Sequence, residues 1–600
     1  YCANDADNFL PVANTTMLGE FKVVDKIIKY ESAAALQGYW QKEIVFVADD
    51  GDGNLHQEDA NDLAESIDAD HAEFDVSKVY LDQFPQISKP GGEVSPETNE
   101  AIKQSFNKGA LIVNYTGHGG ERLLAQERIF DDIMISKLEN DRWPVLVTAT
   151  CEFGKADDPF IISGGELSLL RENAGAIALV TTGRPVEAGT NFILNKAFYN
   201  AFFQTENNQP LTLGEIFRRT KNSSLSGVSN RNFSLLGDPE LKLALPSRNI
   251  VVTEIQTQSG SSTLKSLSTV HVKGEVNNEN GLDENFNGIL EAVLFDKEVS
   301  FQTLGDENAP FSYSQWYNRL FRGQAKVENG LFEFSFVVPK NIAFQLGAGK
   351  VSLYARDSIR QLTASGYSKS FTIGSSESNP DSDTTPPQIS LYVGDTTFIE
   401  GGITNPNTQL VARLYDLHGI NISGYGIGNS LTAIVDGESI IVNDYYMADI
   451  NTHTRGTVIF PLEDLSPGKH TLTLKAWDTY NNPAQATIEF TVTKSEDLVI
   501  HSFGNYPNPF QTSTKVTFTH NRSGDDLAGT LTLYDMTGRI IQTYDFNVPG
   551  SSYEVQLPDL VPGVNLPKNQ GGGLYFARLS LRSLTNGSKN EQVTKLILSN

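Results

Sequence analysis

Short apolar runs alternate with helical spacing through the first 246 residues, and the alternation stops there. Four runs of about six residues are apolar at nearly every position: 43–48 (EIVFVA), 109–114 (GALIVN), 144–149 (PVLVTA) and 175–180 (GAIALV). A half-exposed strand would alternate apolar with polar residues; runs apolar on both faces predict buried strands of a parallel sheet. Between them, 21–35, 57–67, 96–107 and 163–173 space their apolar residues as helices do, and Pro96-Glu97 is a helix-opening pair. Strand–helix–strand repetition predicts a doubly wound α/β domain over 1–246.

Past residue 247 the period changes to two. Alternating Val, Thr, Leu and Phe segments recur at 266–274, 289–296, 330–338, 349–355, 408–415, 431–435, 469–477 and 486–493, separated by Gly, Pro and Asn turns. That pattern predicts β-sandwiches. A polar stretch at 374–387 (GSSESNPDSDTTPP) and a joint at 494–497 divide this half into sandwiches at 247–375, 386–495 and 497–600.

Composition narrows the class. Of 600 residues, 39% are apolar and 10% aromatic, with 50 Gly and 25 Pro, as in a turn-rich globular protein rather than a disordered acidic one. Lys plus Arg number 46 against 73 Asp plus Glu; the net charge of −27 repels phosphate backbones and argues against nucleic acid as a partner. Two cysteines, Cys2 and Cys151, permit one bridge at most and exclude a disulfide framework. The opening Tyr-Cys-Ala-Asn-Asp has no signal-peptide pattern and reads as a processed or truncated start.

In open α/β sheets ligands gather beyond the carboxyl ends of the strands. Three of the expected strands end in reactive groups: 43–48 runs into Asp49-Asp50-Gly51-Asp52-Gly53, 109–115 into Thr116-Gly117-His118-Gly119-Gly120, and 144–150 into Cys151. An unperturbed thiol is only a few per cent thiolate at neutral pH, so a nucleophilic Cys151 needs an imidazole, for which His118 is the candidate. The backbone N–H groups of Gly119 and Cys151 are candidate donors to a tetrahedral oxyanion. Asp50, or Asp49, is the candidate carboxylate that fixes the imidazole tautomer. Alone, a Cys after an apolar strand is more often a small buried hydrophobe, and a His between glycines a plain loop residue. The conjunction of the two at neighbouring strand ends is what points to chemistry.

No cofactor is required by these residues. Asp50-x-Asp52-x-Asn54 and Asp283-x-Asn285-x-Asn287-Gly288 have the alternating oxygens of calcium loops, but Asn61 and Leu294 stand where a twelfth-position glutamate belongs, so Asx-rich turns are the commoner explanation of both. Tyr445-Tyr446 and Trp477 read as sandwich core rather than sugar-binding platforms.

Asn114-Tyr115-Thr116-Gly117-His118-Gly119, with Ala149-Thr150-Cys151 following, resembles the catalytic dyad of the gingipain family of caspase-like cysteine proteases. Lys78-Val79-Tyr80-Leu81-Asp82 and Leu236-Gly237-Asp238-Pro239-Glu240-Leu241 fit the same family. The resemblance covers about residues 20–245. It implies an α/β caspase-like catalytic domain with His118 as base, Cys151 as nucleophile and Asp50 near the orienting acid, where the family uses Glu. It also implies an upstream α/β subdomain that these residues lack, and Phe9–Thr16 departs from the family's usual entry into the first helix.

Asn505-Tyr506-Pro507-Asn508-Pro509-Phe510, Leu533-Tyr534-Asp535-Met536-Thr537-Gly538-Arg539, Gly573–Leu579 and Lys595-Leu596-Ile597-Leu598 together resemble the C-terminal sorting domain of type IX secretion cargo. Physically they are strand–turn–strand units, the proline pair setting an extended entry and Gly538 a hairpin turn. Pro386–Tyr392, Asn443–Tyr446 and Leu474–Asp478 resemble the gingipain-related sortases of type IX secretion. That resemblance implies a peptidase and transpeptidase on the bacterial cell surface, attached peripherally to the outer membrane. Its implied partners are cargo bearing C-terminal sorting domains, a PorV-like outer-membrane β-barrel anchor with attachment-complex components, and anionic lipopolysaccharide as acyl acceptor. Two other readings stay open: a secreted gingipain-like protease that digests environmental protein, and a catalytically inactive adhesin or scaffold. The loops 119–128 and 181–190, with Glu121, Arg122, Arg184 and Glu187, are expected to line the substrate pocket.

Overall fold

The computed structural model describes residues 17–32, 37–377, 382–425, 428–493, 497–562, 564, 566 and 573–599. Cys2 and Phe9–Thr16 lie outside the described residues, as does most of the expected joint at 494–497.

The α/β part follows the hydrophobic pattern closely. Its elements in chain order are α1 (Met17–Glu31), β1 (Glu43–Ala48), α2 (Leu55–Asp70), β2 (Asp75–Tyr80), α3 (Pro96–Lys108), β3 (Ile112–Thr116), α4 (Asp132–Lys137), β4 (Val145–Ala149), α5 (Gly164–Leu170), β5 (Ala178–Thr182), α6 (Ala188–Phe202), α7 (Leu213–Ser223) and β6 (Phe233–Leu236). The six strands form one sheet in the order β2-β1-β3-β4-β5-β6, parallel except for the antiparallel β6 at the edge.

Each apolar run serves two cores because successive side chains point to opposite faces. Ile44, Phe46 and Ala48 of β1 join one core with Leu63 and Ile67 of α2, Phe198 of α6 and Phe217 of α7. Val45 and Val47 join the other with Ile102 and Phe106 of α3, Ile135 of α4 and Leu169 of α5. Two helical layers around a parallel sheet are what the continuous runs require. α5 ends at Leu170, short of the expected 173, and opens on a reciprocal cap: Ser163 Oγ accepts from the Glu166 N–H while Glu166 Oε2 accepts from the Ser163 N–H at 2.7 Å.

The β half departs from three separate sandwiches. The first and second share one long sheet and one core, because Arg319–Glu328 of the first meets Tyr446–Ala448 of the second. Pairing removes two edges that would otherwise expose unpaired backbone groups. The polar stretch at 374–387 therefore separates chain segments but not hydrophobic cores. The last module has its own core, built by a three-stranded and a four-stranded sheet. Gly538, at φ 83°, turns the hairpin between Leu527–Asp535 and Ile540–Val548, as expected. The proline pair does not make an extended entry: the strand Ile500–Tyr506 ends before it. Tyr446 is core, and Tyr445 packs edge-on against Phe460.

The first sandwich grips the α/β domain through buried polar contacts. Lys350, fully buried, pairs with Asp75 at 3.1 Å and donates to the Phe74 carbonyl at 2.9 Å; Lys42, also buried, donates to the carbonyls of Leu353 and Gly366. The sandwich loop 303–311 climbs to the carboxyl edge of the sheet. There Asp82 accepts from the N–H groups of Gly305 and Asp306, and Asn308 donates to the Asp50 carbonyl at 2.7 Å. Among the described residues no helix is long and apolar enough to cross a membrane.

Candidate active site

Parallel register aligns the candidate residues before any side chain is considered. Ala48, Thr116 and Ala149 are register partners at the carboxyl ends of β1, β3 and β4. Asp50, His118 and Cys151 each lie two residues beyond that row. The ladder continues past the strands, with the Asp49 N–H donating to the Thr116 carbonyl and the Gly117 N–H to the Ala149 carbonyl.

Two glycines allow these loops to meet. A Cβ on Gly117 would overlap Asp49 Cβ and stand 2.5 Å from Tyr115 Oη, and one on Gly119 would overlap Thr150 Oγ1. Gly119 is thus packed against the residue preceding Cys151, which brings the His118 and Cys151 backbones together.

Cys151 is partly exposed and is a free thiol. Its Sγ lies 3.5 Å from the Val186 carbonyl and 3.4 Å from the Val186 N–H, in the loop after β5. The following Glu152 has φ 56°, a left-handed conformation uncommon for a residue with a side chain and frequent at functional turns.

His118 is held more fully. Its N–H donates to Asp49 Oδ2 at 2.8 Å, and its carbonyl accepts from Tyr115 Oη at 2.5 Å and from the Ala125 N–H at 3.0 Å. Its ring Nε2 is 3.2 Å from Asp52 Oδ2. The ring meets that of His56 edge-on, with centroids 5.0 Å apart and an interplanar angle of 87°. His56 is buried at the start of α2, and its Nε2 lies 3.4 Å from the same Asp52 oxygen. Burial first, then the neighbouring His118, push the His56 pKa below its ordinary value against the pull of Asp49 and Asp52, so this ring is neutral.

The carboxylate expected to orient the imidazole is therefore corrected. Asp50 Oδ2 accepts from Gln86 Nε2, and the carboxylates that meet His118 are Asp49 and Asp52 instead. Asp49 holds the His118 backbone, and Asp52 meets the ring. Asp50 is 1% exposed and stands beside Asp49 and Glu127; burial and these neighbours push its carboxyl up to about 8, which suits a proton-bearing group better than an anionic orienter. The sequence places Asp52 in the acidic run after β1 and in the Asp50-x-Asp52-x-Asn54 pattern without giving it a role towards His118, and it gives none to His56 either. The signal available for both was Asp52-x-x-x-His56, spaced to meet where a helix begins.

The calcium-like loops resolve into other contacts. In the first, Asp50, Asp52 and Asn54 diverge to Gln86, His118 and the Ala309 carbonyl. In the second, Asp283 pairs with Arg248 and Arg360 and closes an Asx turn on the Asn285 N–H. Around the expected pocket, Glu121 pairs with Lys155, Arg122 with Asp132, and Arg184 with Asp157. Three of the four charged side chains expected at the pocket, Glu121, Arg122 and Arg184, thus have ion-pair partners outside that set.

Residues 17–244 match the family model described as Peptidase family C25, and residues 505–580 match that described as Secretion system C-terminal sorting domain. Among solved structures, dimeric latent PorU from Porphyromonas gingivalis is similar at 28% identity over 72% of this chain and 41% of that one, with a TM-score of 0.29. The Arg-specific cysteine proteinase gingipain R (RGPB) is similar at 15% identity over 59% of this chain and 72% of that one, with a TM-score of 0.32. The complex of Porphyromonas gingivalis RgpB pro- and mature domains is similar at 14% identity over 57% of this chain and 73% of that one, with a TM-score of 0.30. The chain spans about two fifths of the length of the PorU structure. No curated protein matches it.

Proposed function

From the premise that residues 17–244 are a peptidase family C25 domain and residues 505–580 a secretion-system sorting domain, we propose that this chain is a cell-surface cysteine endopeptidase of the gingipain family that removes sorting domains from type IX secretion cargo. The observation that carries the reading is the convergence of His118 and Cys151 at adjacent strand ends, within a chain that carries a sorting module of its own.

In this reading His118 takes the Cys151 proton as Sγ attacks the scissile carbonyl, then delivers it to the leaving amine. A neutral ring donating Nε2–H to Asp52 keeps its lone pair on Nδ1, which is the basic atom. The N–H groups of Gly119 and Cys151 receive the oxyanion. Water resolves the acyl-enzyme to a free carboxylate; an amine of anionic lipopolysaccharide in its place yields an amide, with His118 accepting the incoming nucleophile's proton. The working location is the outer surface of the outer membrane, with a PorV-like barrel and attachment-complex components as neighbours.

The Cys151→Ala variant should leave cargo accumulating with its sorting domain attached, as seen by mass measurement of surface proteins. Normal processing in that variant rejects the assignment.

A second reading makes the chain a secreted protease whose own last ~100 residues are a removable signal. The docking of the last module supports retention instead. Tyr553 is buried in the core of the middle sandwiches against Phe398, and its N–H donates to Asp395, so removal would uncover that pocket. The mass of the surface-bound protein separates the two readings. The third, an inactive scaffold, predicts a Cys151 inert to thiol-reactive electrophiles.

A further inference from the structure

His56 has no task in the proposed reaction, and its surroundings leave it unsatisfied. The residue is 3% exposed, and neither Nδ1 nor Nε2 makes a hydrogen bond. A buried imidazole ordinarily donates from one nitrogen and accepts at the other, so two idle nitrogens are costly unless something else meets one of them.

The neighbours of this ring are metal-binding groups. Asp52 Oδ2 is 3.4 Å from His56 Nε2 and 3.2 Å from His118 Nε2. The two histidines bring ring nitrogens within 4.8 Å of each other, and Asp49 brings an oxygen equally near to both. Tetrahedral zinc, with bonds of about 2.0–2.1 Å, separates its ligand atoms by about 3.3 Å, so Asp52 already stands at the required spacing from both rings. The side chains of His118 and Asp52 are half-exposed and can turn to close the remaining edge. Asp49 is committed elsewhere, its oxygens accepting from the N–H groups of Gly51 and His118, so it holds the loop in place beside the three ligands.

We propose that His56, His118 and Asp52 bind a divalent ion of the zinc type, with water in the fourth position, and that the ion switches the catalytic base off. The donors select the metal: two imidazoles and a carboxylate suit zinc, whereas calcium and magnesium take oxygen ligands. Binding and catalysis compete for the same ring. Zinc takes the lone pair of His118 Nε2, and the hydrogen that nitrogen carried moves to Nδ1. Nδ1 is the atom that accepts the Cys151 proton in the reading above, and with a hydrogen of its own it has no lone pair to offer. No covalent bond changes at Cys151, and the ring regains its former tautomer when the ion leaves. The binding stands apart from the peptidase reading; the switching-off rests on it.

The binding test uses the full chain as Cys151→Ala, so that the sulfur is not a ligand. Cobalt(II) should give the intense visible absorption of a tetrahedral site, bleached by zinc chloride and untouched by excess calcium chloride. In competition with a chromophoric chelator, His118→Ala and His56→Phe should each weaken zinc binding by more than the roughly ten-fold that loss of an outer-shell partner costs. If His56→Phe does not fold, Asp52→Asn, on a half-exposed side chain, takes its place with the same expectation. Absence of the cobalt absorption together with absence of zinc binding overturns the site, and so does a zinc affinity that these variants leave unchanged. In the chain with its thiol, zinc should suppress cleavage of a peptide substrate, and a zinc-selective chelator should restore it. The His56 or Asp52 variant should need about ten-fold more zinc for the same fractional loss of its own activity. Zinc bound without loss of cleavage overturns the switch. Inhibition at the same zinc concentration in parent and variant puts the ion on Cys151 and His118 alone and overturns the site. A chain that binds zinc through these ligands yet cleaves nothing supports the site and counts against the peptidase reading instead.

Discussion

His118 is held by three carboxylate-bearing or aromatic side chains with different tasks: Asp49 on its N–H, Tyr115 on its carbonyl and Asp52 on its ring. Only Asp52 can act on the tautomer. Replacing Asp52 with Asn keeps the shape but allows the amide to donate to Nε2 and so displace the proton to Nδ1, the wrong atom for a base. Asp52→Asn is expected to lower kcat on the order of 10²-fold with KM little changed, since the loss falls on the proton transfer rather than on binding. A kcat against pH profile on a peptide substrate checks this; an unchanged kcat would return the orienting task to another group.

At the scale of elements, the parallel register of β1, β3 and β4 sets the site, and glycine lets the loops close over it. Gly117→Ala places a methyl into Asp49 and Tyr115 where no flexible side chain can yield, so a loss of about 1–3 kcal/mol in chemical denaturation is expected. The joint between β2 and the first sandwich rests on charge. Lys350 is fully buried between Asp75 and Asp68. Lys350→Met leaves those carboxylates short of a partner and should cost about 3–5 kcal/mol in denaturant unfolding. Burial alone would raise the Asp75 pKa, but Lys350 and Lys42 outweigh it and hold the group at about 2. Its contribution is therefore present above the unfolded pKa near 3.9 and lost as pH falls from there towards 2.

For the whole molecule, acid acts first elsewhere. His520 is completely buried in the last module, its Nδ1 accepting from the Arg522 N–H at 3.1 Å, and burial pushes its pKa down to about 4. A depressed histidine binds its proton more readily when unfolded, so its stabilisation is full above about 6.5 and disappears as pH falls towards 4. The shift amounts to about 3 kcal/mol. The C-terminal module should therefore loosen between pH 6.5 and 4, before Asp75 titrates, and His520→Phe should flatten that window in melting curves recorded against pH. The first two sandwiches, joined in one sheet and anchored by Lys42 and Lys350, should hold through the same range.

What could be read along the chain was whatever depends on local periodicity. The four continuous apolar runs announced a doubly wound sheet because strands buried on both faces cannot alternate, and β1 appears at the residues expected. The dyad positions were legible because reactive residues followed those runs directly. Asp52 and His56 were harder to find because their meeting with His118 depends on how α2 starts beside β3, a relation the spacing of either segment does not encode. The merged middle sandwiches were hidden for the same reason, since Gly323 and Ala448 pair across more than a hundred residues of chain.

Hydrophobic period and strand-end chemistry thus belong to the sequence itself, since both arise from neighbours within a few residues. The partner of the His118 ring, the engagement of Asp50 by Gln86 and the docking of Tyr553 into a foreign core were decided only in three dimensions. Electrostatic and packing energies depend on distance through space, and side chains far apart along the chain acquire that distance only when the whole fold closes.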